Sequence, residues 1–385
     1  MLILPSKKYS RGRCSVVETI FALKYGRNLH QLIFLPEGFF NCFSTLLCLL
    51  RNVVSRSNKQ TIYGVQYLRG LAALAVVFCH FGSKLSAYPT LSAIFNFGQN
   101  GVHIFFLISG FIIVYSLSQA GYQPVQFFRF LLKRSIRIDP SYFATILLTL
   151  IFFKVLSLVP SFGGTAIPFI PQQFLAHLFY LVPFTKYEFY NYVFWTLCIE
   201  FQFYVLVGLL YFIIDAKIYR YCFLIILGLS SFIPFSNVYY LVFNYGAIFA
   251  LGISLVSVFN SITWSNWPLP TLFLSMIWLK FGFPIVALLA VSVIVLLFVK
   301  VHLRLLYHLG NISYSLYLIH SLMFIFTVGV LKRLNFDLQK NQLTALAIEV
   351  MLAIATGFMF YLLIERPSLR ISKKIFYKSS SSNRE

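Results

Sequence analysis

The sequence predicts an all-α fold, a polytopic bundle of about ten transmembrane helices with both termini in the cytoplasm. Of its 385 residues, 59% are hydrophobic and 11% are charged, whereas a soluble domain carries about 25% charged residues. The apolar runs are continuous and about 20 residues long, which is the length of a helix that crosses a bilayer. A barrel would instead show alternating strands of about ten residues. These observations exclude a soluble enzyme, a disulfide-rich secreted domain and a transmembrane barrel.

Ten apolar segments beginning at Tyr63 are predicted to span the membrane. They are residues 63–82, 100–118, 141–158, 194–214, 220–236, 238–258, 268–283, 284–299, 309–331 and 344–364. A further apolar piece, residues 172–184, is too short to span, which predicts an interfacial or re-entrant segment.

Three regions are predicted along the chain. Residues 1–60 are basic, and their longest apolar stretch is too short to cross a bilayer. This region is therefore expected to be an extension in the cytoplasm or on the membrane surface, without a signal peptide. Residues 61–370 form the membrane domain, and residues 371–385 form a basic, Ser-rich cytoplasmic tail.

The distribution of Lys and Arg predicts the orientation. The chain has 31 Lys and Arg against 10 Asp and Glu, a net charge of +21. With the N-terminus inside, 23 of the basic residues lie on the inner side and 7 on the outer side, as the positive-inside rule requires. The expected location is the inner, cytoplasmic cell membrane, with lipids rather than nucleic acid as the partner of the basic surface.

Two ionisable residues in the first span suggest a functional face. Arg69 and His80 are eleven residues apart, close to three full helical turns, so they share one face about 16 Å apart along the axis. A guanidinium suits a phosphate-bearing ligand on the inner side, and an imidazole further out suits proton transfer. The alternatives are an Arg69 that reaches the inner headgroups and a His80 bonded to a carbonyl.

Two further groups inside predicted spans are candidates. Glu200 in the fourth span lies at a depth similar to that of His80, so the carboxylate and the imidazole can pair. The alternative is a protonated Glu200 bonded to Tyr or Ser. His320 lies near the middle of the ninth span, where an interhelical hydrogen bond is an equal alternative to a functional role.

A dense cationic loop is predicted between the second and third spans. It contains Arg129, Lys133, Arg134 and Arg137, and together with Arg69 it forms a candidate site for a pyrophosphate-containing donor. The alternative is an ordinary positive-inside signal. The six Cys include no CxxC pair and no glycine-rich phosphate loop is found, so neither a metal site nor a soluble-type nucleotide site is predicted.

Several motifs in order resemble the acyltransferase-3 family, integral-membrane O-acyltransferases that act on cell-surface carbohydrates and related acceptors. The matching segments are Tyr67–Ala73 followed by His80, Gly101–Phe111, Arg134–Tyr142, Trp195–Tyr204, Leu309–His320 and Glu365–Pro367. The resemblance covers residues 61–370. Lys133 replaces the usual first Arg of the third motif, and residues 1–60 lie outside the pattern.

The resemblance implies the activity and the site. It implies acetyl-coenzyme A as cytoplasmic donor substrate, with no bound cofactor, and a hydroxyl of a surface polysaccharide or lipid-linked sugar as acceptor. Its motifs place His80 and Glu200 in catalysis. They place substrate binding at Arg69, Ser109, Arg134, Arg137, Trp195 and His320. No hydrolase-like domain follows the tenth span, so transfer is expected to be completed by the membrane domain, alone or with a partner.

Two functions from other classes remain open at this point. A proton-coupled transporter also uses His, Glu and Arg inside the membrane, although the two halves show no internal repeat. A non-catalytic component of polysaccharide assembly is the other alternative. Binding of acetyl-coenzyme A and acyl transfer by the purified protein would separate the three.

Overall fold

The computed structural model describes residues 62–83, 85–159, 167–234 and 240–375, where every regular element is a helix. The contacts divide the chain into Met1–Lys59 and Gln60–Glu385, and the described residues all belong to the second unit. The predictions for residues 1–60 and for most of the tail lie outside the described residues.

Thirteen α-helices make up the described part of the chain. They are α1 Tyr63–Gly82, α2 Pro89–Phe97, α3 Gly101–Gln119, α4 Phe127–Ser157, α5 Pro171–Leu178, α6 Phe194–Asp215, α7 Lys217–Ser230, α8 Gly246–Asn260, α9 Pro268–Phe281, α10 Phe283–Phe298, α11 Arg304–Arg333, α12 Gln342–Phe360 and α13 Arg366–Ser372. A π-helical turn, Tyr361–Glu365, joins α12 to α13, so the last helix crosses the expected boundary between the membrane domain and the tail.

The predicted all-α polytopic bundle is confirmed, and each of the ten predicted spans coincides with a helix. Among the described residues, seven helical segments are long and apolar enough to cross a membrane. The helices α7, α9 and α10 have 14, 14 and 16 residues, fewer than the roughly 20 of a full span. Gly282, with φ of 84°, makes the turn between α9 and α10. The location of the termini remains a prediction.

The prediction of a cationic loop at residues 129–137 is wrong, because these residues belong to the 31-residue helix α4. A helix satisfies its own backbone hydrogen bonds, which a loop next to lipid would leave without partners. Pro140 lies inside α4 and removes only the bond that its missing N–H would have made. Arg134 and Arg137 therefore lie on the same face, three residues apart.

The outward face of α4 is apolar. Leu147, Ile151 and Val155 recur at intervals of four residues, and each side chain is more than half exposed. A continuous exposed stripe of this kind in a helix of this length is expected to contact lipid rather than water. The buried face of α4, with Tyr142 and Ile146, packs into the bundle.

The central helix α1 packs most extensively against α11. Their backbones touch where Gly70 faces Gly310, because a Cβ atom on Gly70 would lie 2.9 Å from the amide nitrogen of Gly310. A Cβ atom on Gly310 would in turn overlap the carbonyl group of Gln66. Small residues permit such close approach in membrane helices, and this contact fixes the spacing of the two helices.

A buried histidine ties the short helix α5 to the segment before α6. The Nδ1 atom of His177 lies 2.8 Å from the carbonyl oxygen of Gln173, and its Nε2 atom accepts the backbone N–H of Tyr190 at 3.1 Å. The rings of His177 and Tyr190 stack with their centroids 4.2 Å apart. Burial lowers the pKa of His177, because this pocket holds the neutral ring.

Replacement of Gly310 by Ala is expected to destabilise the helix pair, because the added methyl group overlaps α1. Overpacking of this kind costs about 1–3 kcal/mol. Gly329, on the same helix, is a matched control, since a Cβ atom there would meet nothing within 4 Å. Thermal unfolding in detergent should show a lower Tm for Gly310→Ala and no loss for Gly329→Ala. Equal Tm values for both variants would contradict the close crossing.

Acid is expected to loosen the segment around α5. A lowered folded-state pKa means that the neutral His177 stabilises the fold above the unfolded pKa of about 6.5, and that this contribution is lost as the pH falls below it. Hydrogen exchange of the Tyr190 amide, corrected for its intrinsic pH dependence, should therefore speed up from pH 8 to pH 5. His177→Gln keeps a donor and an acceptor but does not titrate, so its exchange should stay flat. Parallel curves for the two proteins would refute the assignment.

Candidate functional site

A cavity of about 400 Å³ lies between α1, α3, α4, α6, α11 and the π-helical turn. Its charged lining comes from four of these elements, and its remaining lining is largely aliphatic and aromatic. The polar side chains are those of Gln66, Arg69, Ser109, Tyr115, Arg134, Arg137, Thr196, Glu200, Tyr204, Tyr314, Tyr317 and Glu365. The structure therefore brings together most of the residues that the sequence indicated for substrate binding.

Three guanidinium groups line this cavity. Arg69 projects from α1, and Arg134 and Arg137 project from successive turns of α4. The Arg134 Nη2 atom donates to the Ser116 hydroxyl at 3.0 Å. Its guanidinium also lies over the ring of Tyr204, 5.8 Å from the centroid, an arrangement in which the ring face stabilises the cation.

Two carboxylates face these cations. The Oε1 atom of Glu200 accepts hydrogen bonds from Ser109 Oγ at 2.8 Å and from the Tyr204 hydroxyl. Glu365 Oε2 accepts from the backbone N–H and the hydroxyl of Ser315, at 3.2 and 2.6 Å. Arg69 lies within electrostatic range of both carboxylates and of Arg137. Three guanidiniums against two carboxylates leave a formal excess of one positive charge, which favours an anionic ligand.

Glu365 was missed as a site residue, although the sequence pointed to the Glu-Arg-Pro element that contains it. The signal was a single acid at the end of the last span, directly before Arg366 and Pro367. The π-helical turn Tyr361–Glu365 adds one residue to the helical turn and rotates Glu365 towards the cavity, a common feature of functional helices. Tyr204 and Tyr314 were missed because aromatic residues in spans are usually packing residues.

Tyr317 and Thr196 are neighbouring residues of the cavity lining. Their hydroxyl oxygens lie 2.9 Å apart, and the Tyr317 hydroxyl also donates to the Val193 carbonyl at 3.3 Å. The ring of His320 lies with its centroid 5.8 Å from that of Tyr317. Tyr317 therefore connects the cavity lining to a histidine that lies outside it.

His80 and His320 come together beyond Tyr317. Their ring centroids are 5.1 Å apart, and His80 also makes an edge contact with the ring of Tyr192 at 6.4 Å. His80 is half-buried, whereas Tyr192 is 67% exposed. The pairing of His80 with Glu200 that the sequence suggested stays a prediction, since the contacts described here join Glu200 to Ser109 and Tyr204.

Trp195 lies in an aromatic cluster next to the cavity rather than in its lining. Its ring is 5.6 Å from that of Tyr240 and 6.0 Å from that of Tyr245. The buried His103 joins the same cluster through ring contacts with Tyr245 and Phe281. Within the described residues, no group of three or more His, Cys, Asp or Glu side chains could hold a metal ion.

Comparison with known proteins supplies one match. A family model described as an acyltransferase domain matches residues 62–364. Comparison with curated proteins and with solved structures gave no match. The matched region contains every residue of the cavity lining except Glu365, which directly follows it.

Proposed function

The chain belongs to the acyltransferase-3 family and is a multi-pass membrane acyltransferase, and from this premise we propose that it is an O-acetyltransferase. In this proposal it moves an acetyl group from cytoplasmic acetyl-coenzyme A to a hydroxyl of a surface polysaccharide or lipid-linked sugar. Its place is the inner cell membrane. Family membership favours this enzyme over a proton-coupled transporter or a non-catalytic assembly component.

The observation that carries the proposal is the convergence of three guanidiniums in one cavity inside the helix bundle. Coenzyme A has a pyrophosphate and a ribose phosphate, and planar guanidinium forks match phosphate oxygens better than ammonium groups do. Arg69, Arg134 and Arg137 are proposed to hold these phosphates. The aliphatic lining of the cavity suits the less polar arm that leads to the thioester.

The path along α1 gives the direction of transfer. In the predicted orientation Arg69 lies on the inner side and His80 about 16 Å closer to the outside. The cavity residue Tyr317 contacts the ring of His320, which in turn lies beside His80. The thioester is therefore proposed to reach Tyr317, while the sugar approaches from the side of the exposed Tyr192.

The chemistry needs a base because a hydroxyl is a poor nucleophile near neutral pH. His80 is proposed to take the proton of the acceptor hydroxyl as its oxygen attacks the thioester carbonyl. A carbon–oxygen ester bond forms, the carbon–sulfur bond breaks, and the leaving thiolate recovers the proton from the imidazolium. The products are the acetylated sugar and free coenzyme A.

Glu200 is proposed to act from the donor side of this reaction. Its carboxylate and Ser109 are hydrogen-bonded in the cavity wall, where they order the groups around the thioester arm and balance the arginines. Trp195 and His320 are proposed to belong to the acceptor side. Trp195 contributes through the aromatic cluster with Tyr240 and Tyr245.

Replacement of Arg134 or Arg137 by Ala is expected to weaken acetyl-coenzyme A binding by about 10- to 150-fold. This corresponds to about 1.5–3 kcal/mol for one charge-assisted contact. The matched control is Arg129→Ala, which removes the same charge from the exposed face of the same helix. Titration of each purified variant measures the Kd. The membrane topology of each variant is checked by cysteine accessibility. If all three variants bind acetyl-coenzyme A with equal affinity, Arg134 and Arg137 act only on the orientation of the chain in the membrane.

His80→Ala is expected to lower acetyl transfer by 10²- to 10⁴-fold, the usual cost of removing a general base. Donor affinity should stay unchanged, because His80 is not among the residues that line the cavity. Transfer from labelled acetyl-coenzyme A to acceptor glycan, with the Kd measured in parallel, tests both parts. Near wild-type glycan acetylation would remove His80 from the mechanism.

A further inference from the structure

His320 is a fully buried histidine on α11. One of its ring nitrogens forms a hydrogen bond and the other does not. Its Nδ1 atom lies 2.8 Å from the carbonyl oxygen of Tyr317. A carbonyl can only accept, so Nδ1 carries the proton and Nε2 keeps its lone pair. No described residue forms a hydrogen bond with Nε2. A buried acceptor without a partner is costly, so this atom indicates a donor that lies close enough to reach it.

The residues around His320 indicate which group can donate a hydrogen bond to its Nε2 atom. Its neighbouring rings are those of Phe81, Tyr317 and His80, at 6.3, 5.8 and 5.1 Å. The Tyr317 hydroxyl is already bonded to Thr196 and the Val193 carbonyl, so His80 is the polar candidate in this set. It is half-buried, whereas His320 is fully buried. A sugar hydroxyl that approaches from the exposed side therefore meets His80 first.

The packing of α1 against α11 explains why the imidazoles of His80 and His320 lie at the same height along the two helices. The backbones of α1 and α11 touch at Gly70 and Gly310. His80 is ten residues beyond Gly70, and His320 is ten residues beyond Gly310. Ten residues advance each helix by about 15 Å. The observed ring separation of 5.1 Å shows that the helices run in the same direction and stay adjacent over this distance.

We propose that His320 is a positioning residue for His80, a role that rests on the proposed function. A small rotation of either ring lets the Nε2 lone pair of His320 accept the N–H of His80. The other nitrogen of His80 then carries the lone pair that faces the acceptor hydroxyl. When His80 takes the proton, its N–H bond to His320 becomes charge-assisted and stronger. The base is thus oriented by a third group, as in other nucleophilic enzymes.

Kinetics of four variants test the role. His320→Leu should lower kcat by about 10- to 100-fold, the range known for histidines at metal sites that lose their orienting partner. The Kd for acetyl-coenzyme A and the KM for acceptor should stay unchanged. His320→Gln offers an amide oxygen as acceptor and should recover part of the rate. In a His80→Ala background, His320→Leu should have no further effect. His308→Leu, at an exposed histidine on the same helix and outside the cavity lining, should leave kcat unchanged.

Two kinetic results would overturn the proposal. One is a His320→Leu variant with wild-type kcat, and the other is an equal loss with and without His80. Absence of acetyl transfer by the wild-type protein would instead count against the proposed function.

Nitrogen-15 NMR of the histidine side chains is the second measurement, because it tests the pairing even if no acetyl transfer can be measured. His80 should show one tautomer in the wild-type protein and a mixture in His320→Leu. An unchanged His80 spectrum would refute the pairing whatever the reaction is.

Discussion

The close contact between α1 and α11 is the constraint on which the rest of the site depends. Helices in lipid gain no hydrophobic advantage from meeting, so they associate where small residues let backbones touch. Gly70 and Gly310 provide that contact, and α1 carries Arg69 only one residue before it. The same contact sets the separation of His80 and His320 further along both helices. The cation at one end and the imidazoles at the other are therefore held by one packing feature.

The charges of the cavity show how a membrane protein carries arginines inside its bundle. Isolated ions are expensive in an apolar interior, and here each carboxylate is itself held by two hydrogen-bond donors. Ser109 and Tyr204 hold Glu200, while Ser315 holds Glu365 with both its N–H and its hydroxyl. The carboxylates in turn offset most of the charge of the three arginines. The remaining positive charge is the physical basis for expecting an anionic ligand in this cavity.

The sequence predicted the helices well because bilayer thickness dictates their length and their apolar composition. It placed Arg69, Arg134 and Arg137 in one candidate site because clustered guanidiniums suit a pyrophosphate-containing ligand. It misjudged residues 129–137 as a loop, since clustered charges resemble a connecting segment when the helix that contains them is not visible. It could not show the contact of His80 with His320, because residues 240 positions apart meet only through helix packing. Nor could it show Glu365 facing the arginines, since that depends on a π-helical turn.

Tyr317 has a consequence for how the helices around the cavity can move. Its side chain starts from α11, its hydroxyl bonds Thr196 of α6 and the Val193 carbonyl, and its ring contacts that of Phe105 on α3. An aromatic ring fixed by its neighbours at both its edge and its hydroxyl has little rotamer freedom in a close-packed interior. A shift of any one of these three helices therefore has to displace the other two, so this part of the bundle is expected to respond to a ligand as a single unit.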